Sequence, residues 1–192
     1  KTGMFAGDSM ELAHLYREGI QQIPLAFEKV SKPVIALVNG AAVGAGCDIA
    51  CMCDMRIATD QAFFAETFSK LGLVPGDGGA YFLQRVVGYK NAMEMILTGK
   101  PMSAPEAKAA GLVLEVFSPA ELLTSVKEIG MKLSKKGIIS MLAARRLVRS
   151  NASIEFEKAF LLERETFATL FSSGEPKEGM KAFLEKREPN FA

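Results

Sequence analysis

Histidine occurs once in this 192-residue chain, at His14, and cysteine only three times, at Cys47, Cys51 and Cys53. No serine or cysteine nucleophile motif surrounds His14, so a catalytic triad is not expected. The cysteines crowd into one short segment, too close together for a disulfide framework, which fits a reducing compartment. Only Cys47 and Cys51 share a helical face and no fourth ligand is near, so no metal is expected and the thiols read as small buried apolar groups.

An excess of either charge is also missing. Against 23 Lys and Arg stand 22 Asp and Glu, for a formal net charge of +1, and the lysines interleave with glutamates rather than forming a stripe, which argues against a nucleic-acid partner. No apolar run reaches the roughly 18 residues of a membrane span. The opening KTGMFAGDSM lacks the basic-then-apolar order of a signal peptide. The expectation is a cytoplasmic protein with no membrane partner.

What is present, 49% hydrophobic and 23% charged residues, is the balance of a globular domain with a sizeable core. VIALVN (34–39) reads as a strand buried on both faces. MRIAT (55–59), AFFAET (62–67) and LVLEVF (112–117) are further strands. One helix is expected from Ser9 to Phe27. Ser103 with Glu106 and Ser118 with Glu121 are capping boxes that open two more, the first ended by Gly111. From Ser118 the pattern is helical to Arg187, with breaks at Gly137, 150–153 and 172–176, the SSGEPKEG stretch being the one candidate hinge. The expected organisation is an α/β front carrying the site (1–117) and a helical C-terminal region (118–192).

Within the front, GAAVGAGCDIACMCD (40–54) strips its side chains to Gly and Ala where a strand gives way to a helix, so something approaches that backbone closely. A phosphate is one visitor, but Gly46-Cys47-Asp48 does not supply the Gly-Lys-Ser/Thr that phosphate loops use, and Asp48 repels an anion. A carbonyl oxygen that turns negative during reaction is another, with free amides taking the charge and Asp48 the proton. Tight helix-on-strand packing, with Asp48 complementing the helix dipole, is the third. Pro75-Gly76-Asp77-Gly78-Gly79 opens a second helix in a similar way, where Asp77 reads on local grounds as a turn or capping residue. Phe63, Phe64 and Phe68 read as core or as a pocket wall.

KPVIALVNGAAVGAGCDIACMCDMRIAT, FSKLGLVPGDGGAYFLQRVVG, AMEMILTGKPMSAPEAKAAGLVLEVF and EGMKAFLEKREPNF, in this order and spacing, resemble the crotonase superfamily, the enoyl-CoA hydratase/isomerase family. The resemblance spans roughly residues 32 to 192. It implies an α/β spiral of ββα turns, a helical C-terminal region that forms homotrimers or dimers of trimers, and an acyl-CoA thioester substrate. No cofactor is implied beyond the coenzyme A of the substrate. It places an oxyanion-holding amide on Ala45, between Gly44 and Gly46, and a catalytic acid on Asp48, one methylene shorter than the family's glutamate. Phe68 stands where hydratases of the family carry their second acid, and Phe neither takes nor gives a proton. Asp77, in the turn after Pro75 and Gly76, lies one residue beyond the acid of several isomerases, with Glu66 the alternative partner. Arg145, Arg146, Arg149, Lys181 and Lys186 are basic helix positions that could meet coenzyme A phosphates. The family pattern also has roughly 70 residues of strands and loop ahead of this point. Phe5-Ala6-Gly7-Asp8 only echoes that loop, so the chain reads as lacking an N-terminal portion.

Overall fold

The structure, a computed structural model, describes residues 7–191. Phe5 and Ala6 of the loop-like stretch lie outside the described residues. Its chain contacts divide into two compact units, one ending at Val126 and the other beginning at Lys127.

The first unit opens with two helices where one was expected, α1 (Ser9–Glu18) and α2 (Gln22–Lys29). Asp8 caps α1, accepting from the amides of Met10 (2.8 Å) and Glu11 (2.9 Å), while Glu11 reaches back to the Asp8 amide. Gly19 leaves helical geometry at φ −107°, ψ −105° and divides the apolar repeat. Neither helix buries a residue completely.

Two small sheets follow. The strand β1 (Ile35–Val38) pairs in parallel with β3 (Met55–Thr59), and β3 in parallel with β6 (Glu115–Phe117), in the order β1-β3-β6. The second sheet is β2 (Ala41–Val43), β4 (Phe63–Ala65) and β5 (Met102–Ser103), with β2 parallel and β5 antiparallel to β4. As an edge strand, β1 is not buried on both faces; Leu37 is 39% exposed. The strands expected over 62–67 and 112–117 are shorter because neighbouring amides are used elsewhere. Ala62 N–H turns back to the Thr59 carbonyl, and the Leu112 and Val113 amides donate to Ala107. Nor does the chain pass directly from strand to helix after Asn39. It enters β2 first, crossing from one sheet to the other before α3 (Ala45–Met52) begins.

The core lies where α3 meets α4 (Gly79–Thr98), which is broken at Gly88 (φ +77°). Cys47, Ala50 and Cys51 of α3 pack with Phe64, Leu83, Val87, Met95 and Leu112, and with Ala104 and Ala107 of α5 (Ala104–Ala109). Half-buried Arg56 ties the end of α3 to the approach to β6. Its guanidinium donates to the carbonyls of Cys53 (2.7 Å) and Leu112 (2.6 Å), a cation at a helix C-terminus. The capping box at Ser103 forms; at Ser118, ahead of α6 (Pro119–Ser134), only half of it does, with Glu121 accepting from the Ser118 N–H (3.3 Å) and hydroxyl (2.6 Å).

The second unit contains α7 (Ile138–Asn151) packed on α8 (Phe156–Leu170), then α9 (Glu175–Leu184). The stretch expected to be a hinge is instead pinned. Buried Glu175, the first residue of α9, accepts from the amides of Ile139 (2.9 Å) and Ser140 (2.8 Å) and so caps α7 from outside its own helix. Burial raises the carboxyl's pKa, but the amide donors outweigh it and the net direction is downward. The Glu175→Ala variant should lose about 1–3 kcal/mol of stability at neutral pH, because two helix-start donors lose an ionised acceptor. A folded-state pKa below the unfolded one means that this contribution is full above the unfolded value and vanishes as pH falls through the folded one. Urea unfolding of both proteins should therefore differ at pH 7 and converge in acid.

Candidate active site

The start of α3 is set by a single backbone bond. Gly44 N–H donates to the Ala65 carbonyl at 2.8 Å, extending the β2–β4 ladder by one residue, and Gly44 then turns at φ +54°, ψ −124°. Only glycine adopts that conformation without strain. A helix leaves its first amides without internal partners. Here the Gly44 carbonyl accepts from Asp48 N–H (3.0 Å), while the Ala45 amide meets no acceptor among the described residues. Ala45 is half-buried and Gly46 is exposed, with nothing within 4 Å of where a Gly46 side chain would begin. The start of α3 is therefore open at Gly46.

Asp48, one turn further along α3, is buried. Its side chain is 0% exposed and lies so close to Gly79 that a Cβ there would overlap the carboxyl. Two further acids share this interior, Glu66 just after β4 and Asp77 ahead of α4, each 1% exposed. All six carboxyl oxygens lack a hydrogen-bond partner, and among the described residues none of the three acids makes an ion pair. The three act on one another strongly. Burial first, then Asp77 and Glu66, pushes the Asp48 carboxyl up to about 10, and burial raises Glu66 as well. The site therefore holds protons at neutral pH. Cys47 beside Glu66 remains a neutral thiol, pushed far up by Cys51 and by burial.

Asp77 is thus neither a cap nor a simple turn residue. Gly78, at φ +108°, occupies the position ahead of α4, leaving the Asp77 carboxyl buried among acids. The rest of the turn, half-buried Pro75 and Gly76, is held by residues that the sequence did not single out. Gln21 Nε2 donates to the Gly76 carbonyl at 2.9 Å, and the Tyr16 ring packs directly on the Gly76 Cα. Gly79 was likewise missed as a site residue; its signal was its place in the run of glycines, which marks a close approach without saying to what. Of the three phenylalanines, only Phe64 is core, since Phe63 is 39% exposed. Half-buried Phe68 lies over the Gly44 Cα, its ring 3.5 Å from where a side chain there would begin. No group of three or more potential metal ligands occurs among the described residues, and no helix there is long and apolar enough to cross a membrane. The basic positions Arg145, Arg146 and Arg149 lie on α7 and Lys181 on α9, in the second unit, as does Lys186.

Two strand pairs that each cross from one sheet to the other and feed a helix, with a bare helix-start amide beside buried acids, define a crotonase-like ββα spiral. A family model described as Enoyl-CoA hydratase/isomerase matches residues 2–192, and the chain belongs to that family. It is 40% identical over 163 residues to a Dictyostelium discoideum protein named "Probable enoyl-CoA hydratase, mitochondrial", covering 85% of this chain and 59% of that one. It is 39% identical over 171 residues to the "Crotonyl-CoA hydratase" of Syntrophomonas wolfei, covering 89% and 66%. The chain thus spans about three-fifths to two-thirds of the length of these curated relatives. A crystal structure of an enoyl-CoA hydratase subunit from Geobacillus kaustophilus superposes with a TM-score of 0.89 at 33% identity, covering 98% of this chain and 72% of that one.

Two substitutions test this geometry. Gly79→Ala drives a methyl into the Asp48 carboxyl and should cost about 1–3 kcal/mol. The cost should shrink when Asp48→Ala removes the obstacle, as a double-mutant cycle in urea would read. Asp48→Asn should act oppositely, stabilising the protein by about 0.5–2 kcal/mol near pH 8. An acid whose folded pKa is raised holds a proton that the unfolded chain has released, so stability falls as pH climbs from the unfolded value toward about 10. The gain from asparagine should vanish near pH 4.

Proposed function

We propose that this protein acts on acyl-CoA thioesters by moving a proton along the acyl chain, shifting a carbon–carbon double bond through an enolate. The single observation that carries the reading is the unpartnered Ala45 amide at the head of α3, with Asp48 one turn further along the same helix. In the proposed step Asp48, ionised increasingly as pH climbs toward about 10, takes a proton from the carbon beside the thioester. The electron pair of that C–H bond moves into the enolate, and the negative charge gathers on the thioester oxygen, where the Ala45 N–H and the helix start meet it. Asp48 then returns the proton to the carbon at the far end of the allylic system and the carbonyl re-forms. Electrons and protons balance, and no cofactor beyond the coenzyme A of the substrate is called for.

Isomerisation is favoured over hydration by Phe68. Adding water to a double bond calls for two proton-transferring groups around that water, and the ring at 68 supplies none. The names of the relatives favour hydration as the second reading. The homotrimer implied by the family is part of the same proposal. On α8, Phe156, Phe160 and Phe167 are exposed, an apolar stripe that self-association would cover.

The test offers a 3-enoyl-CoA thioester and follows the appearance of the conjugated 2-enoyl absorbance. Turnover should occur, and Asp48→Asn should lower it about 10²–10⁴-fold. Turnover undiminished in that variant overturns the proposal. Consumption of a 2-enoyl thioester by the wild type, with no reaction of the 3-enoyl isomer, transfers it to hydration.

A further inference from the structure

We propose that Phe68 is a specificity-determining residue of this site, its ring walling the acyl side of the thioester so that straight acyl chains enter and chains branched close to the carbonyl do not. The inference rests on the proposed acyl-CoA chemistry and deepens it by naming the acyl class. It does not depend on which reaction follows binding.

Backbone bonds carry the ring to its place. The Ala65 carbonyl fixes Gly44 at 2.8 Å, and three residues later Phe68 opens a short turn, Phe68–Leu71. The Phe68 carbonyl accepts from Leu73 N–H at 2.9 Å, and Gly72, at φ +68°, ends the turn in the left-handed conformation that glycine allows. Lys70 of the same turn lies against Gly99, just past the end of α4. The ring is thus held by a backbone pinned on both sides, by the β2–β4 ladder before it and by the closed turn after it.

It meets Gly44 tip-first. Cζ stands 3.5 Å from where a Gly44 side chain would begin, with Cε2 and Cε1 behind it at 3.7 and 3.8 Å. Gly44 directly precedes the unpartnered Ala45 amide, so the residue on one side of that amide is covered by aromatic carbon. The residue on its other side, Gly46, is exposed, with nothing within 4 Å of where its side chain would begin.

A thioester has the same asymmetry. Its carbonyl carbon bears a hydrocarbon chain on one side and, through sulfur, the charged coenzyme A on the other. With the oxygen on the Ala45 N–H, the apolar wall suits the hydrocarbon, and the open side suits the group that must stay hydrated. Phe68 is only half-buried, so part of its ring is left for a ligand to cover. A methyl branch on the first carbons of the chain would press on a ring that its backbone does not let retreat. A longer straight chain keeps the same contact at its thioester end, so branching rather than length is what the ring reads.

Isothermal calorimetry of the wild type, Phe68→Leu and Phe68→Ala tests this with two pairs of isomeric saturated thioesters, which carry no double bond to move. The pairs are butanoyl- against 2-methylpropanoyl-CoA and pentanoyl- against 3-methylbutanoyl-CoA. In at least one pair the wild type should bind the straight isomer about tenfold more tightly. Phe68→Ala should weaken the straight isomer and strengthen the branched one, bringing that ratio close to unity, with Phe68→Leu between. A ring with a merely structural role would weaken both isomers together and leave the ratio where it was. Equal affinities in the wild type, or a ratio unchanged in Phe68→Ala shown to be folded by circular dichroism, overturns the assignment alone. If Phe68→Ala does not fold, an unchanged ratio in Phe68→Leu does the same. Failure of the folded wild type to bind any of the thioesters overturns the acyl-CoA reading and this inference together. A ratio that shifts as expected, without turnover of the 3-enoyl thioester, upholds the role of the ring and removes only the isomerisation.

Discussion

A backbone bond 2.8 Å long, from Gly44 N–H to the carbonyl of Ala65, organises the site. It ends the pairing of β2 with β4 and forces the chain to turn where only glycine is comfortable. The next amide is thereby released as the free start of α3. The bond also fixes what stands on either side, with Glu66 after the accepting carbonyl and Asp48 one turn into the helix. A longer β2 would use up the Ala45 amide in the ladder; an earlier turn would swing Asp48 off the interior face. The stripping of this segment to Gly and Ala, read from the sequence as a close approach, follows from helix, strand and Phe68 all meeting within a few ångströms of it.

That arrangement is costly. Three acids are buried without a cation, an ion pair or a donor among the described residues, and a desolvated carboxyl is tolerated mainly as its neutral form. The offset comes from around the cluster. Cys47, Ala50, Cys51 and Phe64 are all buried, and the Arg56 guanidinium anchors the far end of α3 through carbonyls of Cys53 and Leu112. Packing holds α3 in place although its first turn buries the carboxyl of Asp48. An interior without cations also makes proton affinity, rather than fixed charge, the variable that the site controls.

Much of this was legible from local chemistry. The capping box at Ser103 and the Ser118–Glu121 pair each lie within four residues, so their helices were correctly opened, and the β-branched run before Asn39 gave β1. The crotonase-type spiral was legible from the order of motifs. What failed depended on distant partners. Ala41–Val43 is too small and too short to announce a strand; it is one because Phe63–Ala65 lies beside it. Strand alternation could not orient Glu66, which lies just past the end of β4. Asp77 resembled a turn residue because Asp favours turns, and only the packing of α4 on α3 reveals its carboxyl as buried. Gln21 holds Gly76 across 55 positions of sequence, a separation over which no periodicity carries information.

Phe68 and Glu66 are best understood together. An acid at 68, in the short turn after β4, would stand over Gly44, where the ring now lies. Replacing it with phenylalanine makes that wall apolar and takes a proton donor away from the side facing Gly44. Two residues earlier, the carboxyl enters from the strand and meets Asp48 in the interior. At 66 the acid's neighbours are Asp48, Cys47 and Asp77 in the interior rather than the Gly44 corner. A carboxyl at 68 would border the helix start, whereas one at 66 bears on the protonation of its buried neighbours. The acids are therefore gathered in the interior beside α3, while the place over Gly44 is lined by an aromatic ring that neither takes nor gives a proton.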